Sequence, residues 1–360
     1  MPERPPLPTH PLDWGRGVDG YLEQNGLSCE KAKSFDSGTS CYIWLLEGVR
    51  GLDASTYDQS EGQPVVMKCA DSAPKDQSIQ VSPERLQFEV QALRCKAIQE
   101  ACRQEPSVQV PRVLRTTTNG FIMNWVGDQD LRAACKSGNI PDVKAVGDRL
   151  GRWLGCLHVS SIALGLDGWV THRDEIDILT APGGFAEQTV RDAFNSKEEV
   201  QYILAEMRAP APIHALTHWD FRPMNILVNR PDEESSTLEL TVVDWELCHY
   251  GDPSNDIRMW VVEVMVLEGK FGDHGLLSSF LSAYKERTGT TLVDEAFVAR
   301  VALNAGIYLL WILPLNPQLW DCTEQDVEYW KSLSLEFIRA GTRKDMAWLR
   351  ESRLKPLLLE

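Results

Sequence analysis

The segment "HWDFRPMN", residues 218–225, gathers a histidine, a carboxylate, a guanidinium and an amide immediately before the apolar run "ILVN". A second apolar segment, "LELTVVDW", ends at Asp244 and Trp245, and the charged turn "RPDEESST" separates the two runs, so they read as a β-hairpin. The start of one hairpin strand lies beside the end of the next, which puts Asn225 and Asp244 at the same end. Two oxygen donors there suit a hard cation such as Mg²⁺, which takes one or two carboxylates together with phosphate oxygens and water. Asp220, in the loop leading into the first strand, is then placed to accept a proton from a hydroxyl nucleophile. The plainer alternative is that Asp220 and Asn225 cap a turn and Asp244 closes a strand.

Lys68 follows the apolar "PVVM", where a lysine needs a partner or an anion. Glu89 offers one: Leu86, Glu89, Leu93 and Ala97 recur at helical spacing, so the carboxylate faces the sheet with the apolar residues. Such a pair would aim the ammonium at the α- and β-phosphates of ATP; the alternative is a lysine snorkelling from an edge strand. The turn Ser37-Gly38-Thr39-Ser40 is a candidate phosphate contact or an ordinary hairpin turn. In "IMNWVG" the backbone of Asn124 and Val126 could pair with an adenine edge, or simply end a strand.

These groups must be positioned by a small number of elements. "CEKAKSF", "CYIWLLEGV" and "PVVMKCA" read as strands, and "SPERLQFEVQALRCKAIQ" as one helix with Ser82 as its cap and Pro83 in its first turn. "VPRVLRTTTNGFIMNWVG" is a hairpin on its Asn119-Gly120 turn. From about residue 141 the period changes: Val143, Val146, Leu150, Trp153, Leu154 and Leu157 mark an amphipathic helix, and the remainder is expected to be helical apart from the hairpin after residue 225. The expected fold class is α+β. A proline-rich lead spans 1–26, a sheet-rich nucleotide-binding lobe 27–127 and a helical lobe 128–360, with ligand bound in the cleft between lobes.

The formal charge of −16 over 360 residues argues against nucleic acid or an anionic membrane as the main partner. It suits a cationic small substrate, or serves solubility alone. Nine scattered cysteines without a C-x-x-C pair fit reduced thiols and a cytoplasmic location. The proline-rich start has no apolar core of the kind a secretory signal needs. The run "VALNAGIYLLWILPL" is shorter than the roughly 20 residues of a spanning helix, so it reads as a buried core helix and no membrane association is expected. No obligate protein partner is expected.

"HWDFRPMNILV" followed by "TVVDWELCHYGDPSNDI", together with Lys68, Glu89 and "IMNWVG", resembles the aminoglycoside phosphotransferase and choline kinase superfamily over roughly residues 27–340. "DWELCHYG" is most similar to the branch holding methylthioribose kinase and fungal 4-hydroxytryptamine kinase. The resemblance implies a bilobal protein-kinase-like fold, with a small antiparallel-sheet N-lobe and a mainly helical C-lobe. It also implies transfer of the γ-phosphoryl of ATP, with Mg²⁺, to a hydroxyl of a small metabolite such as an amine or an intermediate of secondary metabolism. It makes Asp220 the base, Asn225 and Asp244 metal ligands and Glu246 a further ligand, with Lys68 on phosphate and Glu89 holding it. Asp256 would brace the catalytic loop through backbone N–H groups, and His218 would support the loop rather than act as base.

Trp219 departs from the glycine most members have between His and Asp. The loop before the hairpin reads His-Trp-Asp and not His-Arg-Asp, Asp-Trp-Glu stands in place of Asp-Phe-Gly, and no Ala-Pro-Glu follows, which disfavours a protein substrate. Glu263, Trp260, Tyr308, Trp311 and Trp320 are candidates to receive a cationic or aromatic amine, or else core. The competing expectation is a pseudokinase that binds nucleotide without transferring phosphate.

Overall fold

A computed structural model describes residues 17–35, 41–53, 62–70, 85–140, 142–165, 184–229, 238–315 and 317–359. The Ser37-Gly38 turn, the Ser82 cap with Pro83, and the hairpin turn 230–237 lie outside the described residues. The chain divides into two compact units, Met1–Cys95 with Val110–Gly127, and Lys96–Gln109 with Asp128–Glu360.

The first unit opens with α1 (Gly17–Gln24), then β1 (Lys31–Phe35), β2 (Tyr42–Glu47), β3 (Val65–Cys69) and α2 (Arg85–Leu93). The chain leaves through α3 (Lys96–Gln104) and β4 (Val108–Gln109), which belong to the second unit, and returns as β5 (Val113–Thr117) and β6 (Gly120–Asn124). The five strands of the first unit form one antiparallel sheet in the order β1-β2-β3-β6-β5. Alternate residues of the central strands fill one core: Trp44 and Leu46 of β2, and Val65, Met67 and Cys69 of β3. Tyr21 and Leu22 of α1 are buried in the same core. The expected lead over 1–26 therefore contains a packed helix, because its apolar pair covers the sheet. At Gly120 an added Cβ would lie 2.5 Å from the Lys68 carbonyl oxygen, so the tight Asn119-Gly120 turn needs glycine there.

The expected single helix over 82–99 is broken. Cys95 donates to the Ala92 carbonyl in a tight turn, and Ala97, assigned to the same stripe as Glu89, begins a new helix in the other unit.

The second unit continues with α4 (Leu131–Lys136), α5 (Val143–Leu164), α6 (Phe185–Ala193) and α7 (Lys197–Arg208). Then come β7 (Ala215–Thr217), β8 (Ile226–Asn229), β9 (Glu239–Val242), β10 (His249–Gly251), α8 (Ser254–Phe271), α9 (Leu276–Leu292), α10 (Glu295–Leu315), α11 (Glu324–Arg343) and α12 (Met346–Glu351). The expected hairpin is β8 with β9, and β4 adds to β9 in parallel. A further antiparallel pair, β7 with β10, was not anticipated, because three-residue strands carry too little periodicity to read.

Asp142 caps α5 by accepting from the Ala145 N–H. Gly147, Gly151 and Gly155 on α5 admit α9 closely: a Cβ on Gly151 would lie 2.2 Å from the Phe280 carbonyl oxygen. Helix α10 is long and apolar enough to cross a membrane, with a mean hydropathy of 1.8, and 78 % of that stretch is buried. Leu303, Ile307 and Leu310 pack it against Ile203 and Leu204 of α7 and Ile338 of α11. All nine cysteines are free thiols.

Candidate active site

Strand β7 delivers the chain into residues 218–222, a 3₁₀ turn at Pro223–Asn225 follows, and β8 begins at Ile226. Opposite, β9 ends at Val242, paired with Ile226, and the Val243 N–H donates to the Asn225 carbonyl at 2.9 Å. Asn225 and Asp244 therefore lie at one end of the hairpin, as its register requires. The Asp244 backbone is left-handed (φ 67, ψ 60), which turns the chain into the Trp245–Leu247 turn and leads to β10.

The loop is fastened from beneath by Asp256, in the first turn of α8 and with no exposure. Its carboxylate accepts the backbone N–H groups of His218 at 2.9 Å and Trp219 at 2.7 Å, and His158 Nε2 at 3.1 Å. The second nitrogen of His158 meets the Tyr284 hydroxyl at 2.8 Å. Burial alone would raise the Asp256 carboxyl, but the donors from His158 and His218 outweigh it and hold it below the usual carboxylate range. His218 serves as support: Nε2 meets the Val243 carbonyl at 2.9 Å and Nδ1 accepts the Asp220 N–H at 3.3 Å. Trp219 takes φ 70, a left-handed conformation in which glycine is at ease. The bond from its N–H to Asp256 helps hold it there.

Asp220 is oriented by two neighbours. Asn225 Nδ2 donates to its Oδ2 at 2.8 Å and to its backbone carbonyl at 2.9 Å, and Arg222 Nε lies 3.1 Å from Oδ1. With the Asn225 NH₂ group engaged, its Oδ1 is the atom suited to a cation. Carboxylate oxygens of Asp244 and Glu246 lie within 4.8 Å of each other, both residues being partly exposed. An amide oxygen and two carboxylates at one hairpin mouth fit the donor set of Mg²⁺.

Beside this loop, Glu263 is buried and accepts the Tyr308 hydroxyl at 3.1 Å and Trp320 Nε1 at 3.2 Å, with Arg222 at 3.7 Å. Burial pushes its carboxyl up, with Arg222 pulling the other way. Burial likewise opposes the charge of Arg222, but Asp220 and Glu263 hold it above its ordinary value. Glu263 is thus engaged within the protein, the second of the two readings its sequence context allows. Trp260 is core, stacked on Phe280.

In the first unit, Lys68 Nζ and Glu89 Oε2 form an ion pair at 2.8 Å, both side chains almost wholly buried. Strand alternation places Lys68 on the face opposite Met67 and Cys69, and the pair shows α2 covering that face. Asn124 pairs with Val65 in the sheet. Its N–H donates to the Arg112 carbonyl and its Oδ1 accepts from the Arg112 N–H, so its N–H is committed to the hairpin and not to a ligand. Val126 lies just beyond the strand end.

The structure thus pairs Lys68 with Glu89 in one unit and assembles Asp220, Asn225, Asp244 and Glu246 in the other. His158, Arg222 and Arg258 were not assigned roles from sequence. A histidine on the apolar face of α5 reads as core, and Arg222 stands beside Asp220 in the loop with nothing local to pair it with Glu263.

An antiparallel sheet in one unit and a mainly helical second unit carrying an aspartate loop define an α+β protein. A family model described as the phosphotransferase enzyme family matches residues 52–297, and the chain belongs to that family. Among solved structures it is similar to a microcompartment-associated aminopropanol kinase (16 % identity, 88 % of this chain and 93 % of that one, TM-score 0.49). It is similar also to a choline/ethanolamine kinase family protein from Mesorhizobium loti (17 %, 91 % and 91 %, 0.43). A third is a macrolide 2'-phosphotransferase from Brachybacterium faecium (14 %, 87 % and 94 %, 0.46). No curated protein matches by sequence.

Proposed function

We propose that this chain transfers the γ-phosphoryl group of ATP to a hydroxyl of a small metabolite, with Asp220 as the base that receives the hydroxyl proton. The observation that carries the reading is the double restraint on Asp220, from Asn225 at 2.8 Å and Arg222 at 3.1 Å, on a loop fastened to buried Asp256. Phosphoryl transfer asks a protein mainly to position reactants and neutralise charge. A fixed carboxylate supplies the first requirement. Asn225, Asp244 and Glu246 would hold Mg²⁺, whose contribution is to neutralise phosphate charge. Lys68, kept in place by Glu89, would hold the phosphates. The Asp-x-Glu at Asp244 and Glu246 supports a place near the methylthioribose kinase and 4-hydroxytryptamine kinase branch.

The test is ATP consumption and product formation over a panel of hydroxylated metabolites, with an Asp220→Asn variant alongside. Transfer should fall by at least about a hundredfold in the variant, in line with the usual worth of a positioned base, while nucleotide binding measured by calorimetry persists. Turnover that survives the substitution would remove Asp220 as base. Binding without turnover toward any acceptor would favour a pseudokinase scaffold.

A further inference from the structure

We propose that the acceptor carries an oxyanionic group such as a carboxylate, and that the Arg258 guanidinium receives it beside the catalytic loop; this rests on the phosphotransfer reading above. Arg258 follows Asp256 by two positions on α8 and stacks over the Trp219 ring at 5.0 Å and the Tyr308 ring at 5.4 Å. Trp219 immediately precedes Asp220, so the cation sits against the loop that bears the base.

The neighbouring charges leave this cation without a carboxylate. Its Nε donates to Asn255 Oδ1 at 2.9 Å. Among the described residues it forms no ion pair within 4 Å, and neither of its Nη groups donates a hydrogen bond. The acids that its charge senses are Asp252, Asp256 and Asp220. Each is committed elsewhere: Asp252 to Arg300 at 3.4 Å, Asp256 to the loop N–H groups and His158, and Asp220 to Arg222 and Asn225. Glu263 is held by Tyr308, Trp320 and Arg222. Burial lowers the pKa of Arg258, with Tyr308, Asp252, Asp256 and Asp220 offsetting only part of the effect.

Arg258 is partly exposed, and a guanidinium held in this way can grip a planar oxyanion through two parallel N–H···O bonds. The two aromatic rings fix its plane, contributing cation–π attraction without consuming its donors. An ammonium-bearing acceptor would instead meet like charge. The net charge of −16 does not reverse this, because fields from distant surface acids are screened beyond about 8 Å at physiological salt.

The experiment uses the full chain and three probes that share one skeleton: 4-hydroxybutyrate, 1,4-butanediol and 4-amino-1-butanol. Transfer from radiolabelled ATP and the thermal shift caused by each probe are measured on the wild type, Arg258→Gln and Arg258→Lys. The hydroxy acid should raise Tm, and its kcat/KM should exceed those of the diol and the amine by at least tenfold. Arg258→Gln should erase this preference mainly through KM, with partial rescue in Arg258→Lys. Preference for the amine, no discrimination among the probes, or hydroxy-acid binding unaffected by Arg258→Gln overturns the proposal. If Arg258→Gln fails to fold, the wild-type ranking decides by itself. Hydroxy-acid binding through Arg258 with no transfer to any acceptor of the panel would sink the phosphotransfer reading alone, and transfer favouring the amine would sink this proposal alone.

Discussion

Asp256 gathers two backbone donors and His158 with a single carboxylate that has no contact with solvent. Its folded pKa lies below the unfolded value of about 4. The stability it contributes is therefore complete above that unfolded value and is lost as pH falls through the lower folded one. Asp256→Asn should cost on the order of 3 kcal/mol at neutral pH, since hydrogen bonds to a charged group are among the stronger ones. The variant's acid limb should be flatter than the wild type's, and thermal melts from pH 3 to 7 check both points. Trp219 beside it bears a left-handed backbone costing roughly 1–2 kcal/mol for an L-residue. Its ring meets Arg258 on one side and His249 on another, contacts that a glycine could not make.

Helix α5 shows how elements set the site. Its glycines at 147, 151 and 155 let α9 approach, and from this packed pair His158 and Tyr284 reach toward Asp256. Gly151→Ala places a methyl 2.2 Å from a carbonyl oxygen, where only backbone movement can relieve the overlap. Overpacking of this kind costs about 1–3 kcal/mol. Urea melts should show that loss, with activity reduced further through the displaced loop. The hairpin that aligns Asn225 with Asp244 was legible because apolar runs flank a charged turn, and Lys68 with Glu89 because a strand lysine and a stripe carboxylate each need a partner. The end of α2 was not legible, since no glycine or proline marks Arg94-Cys95. Nor was the Arg222–Glu263 contact, since nothing local in either segment announces a meeting of residues so far apart in the chain.

At the scale of the molecule, the proposed functions are divided: the Lys68–Glu89 pair belongs to one unit and the Asp220 group to the other. Lys68→Ala should destabilise the first unit by about 3–5 kcal/mol, because it removes the cation 2.8 Å from the buried Glu89 carboxylate. Lys68→Met with Glu89→Leu should restore most of that stability without restoring nucleotide binding. Chemical denaturation together with nucleotide titration separates the two effects; nucleotide binding by the apolar double variant would remove Lys68 from the phosphate role.

The excursion of α3 and β4 into the second unit bears on how the protein is made. On the ribosome, β5 and β6 emerge soon after β4 and complete the first sheet, while β4 must await β9, its parallel partner, until much more chain has been synthesised. A nascent chain stalled once residue 127 has cleared the ribosomal tunnel, but before α5 has, would carry the five-stranded sheet interrupted by a helix whose Ala97, Ile98 and Cys102, buried in the folded protein, lack the α5 surface that α3 packs on. Those side chains are the surface a chaperone would find on an arrested translation product.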